Sequence, residues 1–375
     1  MTKVFVFIII TIENAVFLTF SFKFVAKLLA TDNLKYVCRR ANYDKKREFM
    51  KIEKQLLKLA KQKNKSIVFP EAGFSDRIIE AGQILAHKKI CKVILLADES
   101  ALLLRFKKLD GVTVINPKTS DLKKEFVEIL LKKREHKGLT SQQAEILVED
   151  PFYFATLLVE CGYADGMVSG AEVSTAQSLK PALEVIKAKD SVASSCFCFV
   201  GKHKNFDLPI FLADGGLCPN PSAKQLALIA KQTVLTMKTL FPEMEAKVAF
   251  LSYSTKGSAN GELLEKIKQA QNIFSNENPT ILNDGELQLD AALVPRVSKL
   301  KCPECNVAGK ANILIVPDLN CGNILYKAIQ YFGNLTAVGP IVQGLNKPVN
   351  DLSRGCNVKD ILLITAVTIL QSALK

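Results

Sequence analysis

The chain has 375 residues, of which 48% are hydrophobic and 23% charged. That is enough sequence for two α/β domains of ordinary size, and too mixed a composition for a disordered, collagenous or disulfide-stapled protein. Its net charge of +13 comes from basic residues interleaved with Asp and Glu, with no aromatic-rich RNA-binding motif, so solvated helix faces rather than nucleic acid account for it.

The first 49 residues open on MTKVFVFIIITIENAVFLTFSFKFVAKLL. Lys3, Glu13, Lys23 and Lys27 interrupt the apolar character, short of the ~20 apolar residues a membrane span needs. Residues 4–12 after Lys3 have the outline of a signal-peptide core, but no small-x-small cleavage site follows. MKIEKQLLKLAKQKNKSIVFPEAG, from Met50, reads as a natural beginning: amphipathic helix, polar turn, buried strand. Residues 1–49 are therefore expected to be an extension that is either not translated or a weak anchor.

From residue 66 the apolar runs SIVFP, CKVILLAD and VTVINP predict strands, and SDRIIEAGQILAHKK between the first two predicts a helix capped by a Ser or Asp. This is βαβ patterning, hence a parallel sheet covered by helices. After DPFYFATLLVECGYADGMVSGAE a second series begins: ASSCFCFV, LPIFLAD, AKVAFLSYS, PTILND and ANILIVPD, with helices such as SAKQLALIAKQTVLTMKTL between them. The break falls near Asp190. No internal repeat is present.

Open α/β sheets place ligands at the C-terminal ends of their strands. Three loops there are rich in Gly, Ser and Asn. TKGSANGE follows AFLSYS and offers Ser254, Thr255, Gly257 and Ser258; LNCGN offers Asn323; GELQLD follows ILND. Such loops can hold a phosphate with their amides, and the same residues are ordinary turn formers.

Ten cysteines scattered along the chain read as reduced thiols of a cytoplasmic protein. Cys302 and Cys305 have the spacing of half a zinc site, but His87, His136 and His203 do not supply the other half, so no metal is expected.

NKPVNDLSRGCNVKD, residues 346–360, is the most informative stretch. Pro348 and the Asn350-Asp351 pair predict a turn, and Gly355 a positive φ or a close approach. Ser353 and Arg354 are then displayed on a stiff loop, and arginine, scarce in this lysine-rich chain, suits bidentate binding of a phosphoryl group. Asn357 predicts an N-cap with Asp360 at position N3 of the following helix. Asp360 then reads equally well as a capping acid or as a general base.

GKANILIVPDLNCGN, GPIVQGLNKPVNDLSRGC, FLSYSTKGSA and DGELQLDAAL together closely resemble the phosphate acetyltransferases, over about residues 52–372. The wider family includes phosphate butyryltransferases. The resemblance implies reversible transfer of an acetyl group between coenzyme A and phosphate through a ternary complex, with coenzyme A as substrate and no metal or redox cofactor. It implies a homodimer, no nucleic-acid or membrane partner, and a subunit of two doubly wound parallel-sheet α/β domains with a cleft between them, like isocitrate dehydrogenases. The expected division is residues 50–190 plus 341–375 for one domain and 191–340 for the other.

By the same resemblance Asp360 is the base toward the coenzyme A thiol. Ser353 stabilises the oxyanion or orients the thiol, Arg354 holds acetyl phosphate, and Arg134 belongs to the substrate cleft. Three positions depart from the family pattern: Tyr331 and Lys180 stand where arginines are usual, and Val173 where a histidine is usual. Tyr331 loses a charge, and Lys180 keeps one without the fork. These departures leave open a phosphate butyryltransferase, or a relative that binds coenzyme A or acyl phosphate without turnover. A nicotinamide-dependent dehydrogenase is disfavoured, since no G-x-G-x-x-G follows a strand and acidic residues cluster only at Asp284, Glu286 and Asp290.

Overall fold

β-Branched runs form strands here because a parallel sheet covered by helices buries both of their faces. The computed structural model of the protein describes residues 51–106, 108–186, 192–201, 203, 208–333 and 335–374, so the expectation for residues 1–49 lies outside the described residues. A helix over residues 51–61, α1, leads into the first sheet.

That sheet is built from β1 (Ser66–Phe69), β2 (Lys92–Leu96), β3 (Val112–Ile115) and β4 (Gly166–Ser169). The connecting helices are α2 (Asp76–His87), α3 (Glu99–Arg105), α4 (Lys123–Arg134), α5 (Ser141–Val148) and α6 (Pro151–Cys161). α2 turns Ile78, Ile79, Ala81 and Leu85 inward on one stripe, as its 3.6-residue period demands.

After α7 (Thr175–Val185) the second sheet uses β5 (Ser194–Val200), β6 (Ile210–Ala213), β7 (Lys247–Leu251), β8 (Leu282–Leu287), β9 (Ile313–Ile315) and β10 (Thr336–Gln343). Its helices are α8 (Ala223–Leu240), α9 (Glu262–Glu277), α10 (Leu289–Leu293), α11 (Pro295–Lys301) and α12 (Leu319–Tyr331). The strand order is β10-β5-β6-β9-β7-β8. β6, β9, β7 and β8 run parallel, while β5 and β10 are antiparallel to their neighbours at one edge.

The chain then returns to the first sheet. β11 (Val349–Asp351) joins it as the edge strand of the order β11-β4-β1-β2-β3 and pairs Val349 with Met167. This corrects the expectation of a turn at Asn350-Asp351. Asn350 behaves as a strand residue because its amide finds partners sideways: it accepts from Val342 N at 2.8 Å and donates to Thr368 Oγ1 and Gln371 Oε1 at 2.8 and 2.7 Å. Satisfied in this way, a polar side chain can be buried in a sheet.

α13 (Val358–Ser372) closes the fold. Ile361 through Leu370 are all buried, as a helix apolar on every side must be. It packs so closely on β4 that a Cβ on Gly166 would lie 2.7 Å from Thr368 Cγ2. One buried cluster runs from Ile67 and Phe69 through Ile361 and Leu363 to Phe211 and Phe250, joining both sheets.

Candidate active site

The loop between β11 and α13 carries Ser353 and Arg354, and its conformation is held at its C-terminal end and from behind. At its C-terminal end Asn357 Oδ1 accepts from Lys359 N and Asp360 N at 2.9 and 3.2 Å, and Asp360 Oδ2 accepts from Asn357 N at 2.9 Å. This reciprocal capping box is the one the sequence predicts. From behind, Arg77 on α2 donates to Arg354 O at 3.2 Å and to Cys356 O, and also to Ala171 O and Glu172 Oε1 at 2.8 and 2.7 Å. Arg77, followed by Ser75, holds the Glu172 carboxyl below its ordinary range. Gly355 does not take a positive φ, and a Cβ there would meet only Ser353 Oγ, at 4.0 Å. The positive φ expected as one option for Gly355 is corrected: the residue sits in an ordinary turn closed by Cys356 N donating to Ser353 O at 2.8 Å, and the Arg77 fork holds that turn from behind.

Two cavities open on either side of this loop. One, of about 390 Å³, is lined by Asp360, Ser353, Cys356 and Tyr331. The other, of about 330 Å³, is lined by Arg354, Ser353, Asn323, Asp351 and Val173. Ser353, Phe197, Tyr326, Lys327, Pro340 and Leu352 line both, so the cavities adjoin along a shared wall with Ser353 on it. Burial pushes the Cys356 thiol in the first cavity up to about 11, which makes it a poor nucleophile.

The far side of the second cavity is backbone. Asp214 accepts from Ser195 Oγ at 2.5 Å and from Gly216 N, Leu217 N and Cys218 N at 2.8, 3.1 and 2.9 Å. These donors counter a burial that pushes its carboxyl upward. Asn323 Nδ2 donates to Gly215 O at 3.2 Å. The start of α12 lies so close that a Cβ on Gly322 would be 1.9 Å from Asp214 O. Amides 216–218 are therefore spent on Asp214, and the charge available to an anion comes from Arg354 and Lys327.

The remaining predicted residues lie elsewhere. Arg134 and Lys180 line a third cavity of about 480 Å³ together with Tyr153 and Glu184. Glu184 takes an ion pair from Arg134 at 3.2 Å and a hydrogen bond from Tyr153 Oη at 2.6 Å. The 254–258 loop closes on Glu286: Gly257 N donates to Glu286 Oε1 at 2.6 Å and Ser254 Oγ to the same oxygen at 3.2 Å, while Thr255 N donates to Ser258 Oγ at 3.0 Å. Of the amides in this loop expected to hold a phosphate, Gly257 N faces the Glu286 carboxylate, while Lys256 N donates to the Glu286 backbone oxygen at 3.2 Å and Ser258 N to Thr255 O at 3.1 Å. Gly257 has φ +82°, a conformation that favours glycine. Cys302 is buried and Cys305 half-buried, and among the described residues no group of three His, Cys, Asp or Glu side chains is placed to hold a metal ion.

Sequence reasoning missed Phe197, Tyr326, Lys327, Asp214 and Arg77. Scarcity of arginine was a signal for Arg77. Phe197, within SSCFCFV, reads as an ordinary core strand residue and carries no signal of its own.

The phosphate acetyl/butaryl transferase family model matches residues 51–369. A phosphate acetyltransferase of Helicobacter pylori is 42% identical over 327 residues, covering 85% of this chain and 62% of that protein. One from Thermoanaerobacterium thermosaccharolyticum is 42% identical over 329 residues, covering 86% of this chain and 100% of that protein. A phosphotransacetylase structure from Streptococcus pyogenes superimposes with a TM-score of 0.80 at 38% identity, covering 87% of this chain and 98% of the other.

Proposed function

The chain belongs to the phosphate acetyl/butyryl transferase family, and from that premise we propose that it is a phosphate acetyltransferase, moving an acetyl group reversibly between coenzyme A and phosphate. The observation that carries this reading is the shared wall: Ser353 lines both cavities, with Asp360 in one and Arg354 in the other. A thiol beside Asp360 and an acyl phosphate beside Arg354 meet at Ser353.

In the thioester-forming direction Asp360 takes the proton of the thiol, whose ordinary pKa of about 8.5 leaves little thiolate at neutral pH. The sulfur forms a bond to the acyl carbon. The Ser353 hydroxyl donates to the carbonyl oxygen as it becomes negative. The bond from that carbon to the phosphoryl oxygen then breaks, phosphate leaves with the electron pair on the Arg354 side, and the proton passes from Asp360 to product. The guanidinium favours the two-oxygen geometry of the phosphoryl group. Arg134 and Lys180, in the third cavity, are assigned to the outlying part of coenzyme A, and the 254–258 loop to shaping the cleft through Glu286. Tyr331 is 78% exposed at the rim of the Asp360 cavity and supplies contact without charge. We read the body as two α/β domains in a cytoplasmic homodimer, divided as residues 50–190 plus 341–375 and 191–340 except that β10 keeps Ile341–Gln343 with the second sheet. The two separate sheets support the division, and the assembly rests on the resemblance to the family. Among the described residues no helix is long and apolar enough to cross a membrane.

The test is thioester formation from coenzyme A and acetyl phosphate, followed by absorbance, for the chain and its Asp360→Asn variant. Removing a general base should lower turnover by roughly 10²–10⁴-fold, while weakening the capping box destabilises the fold by about 1 kcal/mol. A folded variant with unchanged turnover makes Asp360 a cap only. Binding of coenzyme A with no thioester formed marks a non-catalytic relative.

A further inference from the structure

One aromatic ring at the junction of the two cavities is pinned on three sides. A Cβ on Gly215 would lie 2.9 Å from the Phe197 ring, and one on Gly339 would lie 2.8 Å from Phe197 Cδ1. The ring therefore rests against two stretches of bare backbone. On a third side Tyr326 stacks on it, centroids 4.0 Å apart and planes inclined by 13°. Phe197 is 5% exposed, and what remains accessible lies on the wall common to both cavities. In an interior packed as densely as this, a ring held by backbone on two sides and stacked on a third has nowhere to move without shifting the chain. Pro340 and Leu352 extend the apolar part of the wall, next to Ser353.

We infer that the Phe197 ring, backed by Tyr326, sets the length of acyl chain that the site accepts. The inference rests on the acyl-transfer reading above, which places the acyl carbonyl at Ser353. The alkyl substituent of that carbonyl then meets the apolar stretch of the same wall. An acetyl methyl needs only the space in front of the ring. A butyryl chain adds two methylenes that must displace a ring with backbone behind it. A hydrophobic pocket discriminates by about 10–200-fold for one methylene, so the pinned ring is sufficient to favour the shorter chain.

The experiment compares kcat/KM for acetyl phosphate and butyryl phosphate, with coenzyme A saturating, in the wild-type chain, Phe197→Ala and Tyr326→Ala. The ratio of the two constants does not depend on how much of a preparation is folded, so a general loss of structure leaves it unmoved. The wild type should favour acetyl by at least about tenfold, and each substitution should raise the butyryl-to-acetyl ratio by about tenfold or more, Phe197→Ala the further of the two. Tyr326 is only half-buried, so its truncation reports on the ring's backing even where Phe197→Ala does not fold. A wild type that uses both acyl phosphates equally, or active variants whose ratio stays within about twofold of it, overturns the ruler and leaves the acyltransferase intact. No thioester from either acyl phosphate overturns the acyltransferase and the ruler with it.

Discussion

Asp351 shows how a residue can be chosen against its own stability. Its Oδ2 accepts from Thr175 Oγ1 at 2.6 Å, but Oδ1 is buried without a hydrogen-bond partner, in the space left by the missing side chain of Gly170. Burial, helped by the charge of Glu71 and opposed by the hydroxyls of Thr175 and Ser178, pushes its pKa up to about 6. In the unfolded chain the same carboxyl titrates near 3.9. Between these values the folded chain holds a proton that the unfolded chain has lost, so stability falls as pH rises from about 4 to about 6. The charged form then costs roughly 3 kcal/mol at neutral pH. Asp351→Asn should therefore gain on the wild type by a few kcal/mol between pH 4.5 and 7, read by urea unfolding at each pH; a difference that stays flat with pH would show that the carboxylate is comfortable where it is. At this scale the site was half legible. Ser353, Arg354 and Asp360 stand in one contiguous motif and are brought to one pair of cavities, whereas Asp351 reads as a turn former because nothing local reveals that Val349–Asp351 will be drafted as an edge strand.

Among the elements, α12 is the one whose placement is most tightly specified. Its first turn abuts the backbone of Asp214, where Gly322 leaves no room for even a methyl group, and Asp318 caps it by accepting from Cys321 N at 2.9 Å. Gly322→Ala forces the helix back from Gly215 and with it Asn323. The expected result is a loss of about 1–3 kcal/mol in thermal unfolding together with a raised KM for acyl phosphate; a stable variant with unaltered KM would mean that α12 and the 214–218 loop do not shape the anion side of the site. The strands and helices themselves were largely readable, since SIVF, KVILL and DRIIEAGQILAH carry plain β-branched runs or a 3.6-residue stripe. β5 and β10 were not readable as antiparallel partners. Strand direction follows from which neighbour a strand finds, and periodicity reports only that its faces are covered.

At the scale of the molecule, the last helix is the keystone of the first sheet and of the core that joins both sheets. α13 lies against β4 at Gly166 and buries residues 361–370. A chain ending at residue 357 would expose the apolar surface α13 covers, at about 25 cal/mol per Å², against a total stability of only ~5–15 kcal/mol. It should not fold cooperatively, and a single sharp thermal transition by circular dichroism in that truncated chain would show the first sheet to be independent of its C-terminal return. Local pattern and ordered motifs in the sequence determined the α/β class, the cap at Asn357, the loop bearing Ser353 and Arg354, and the family, because each is written in residues close together along the chain. Only the tertiary structure decided that Asp360 and Arg354 face adjoining cavities across Ser353, that Arg134 and Lys180 line another, that Gly257 N and Ser254 Oγ turn to Glu286, and that Phe197 stands between the two halves of the site. Those outcomes depend on which distant segments pack together, and hydrophobic periodicity records that a side chain is buried without recording its neighbour.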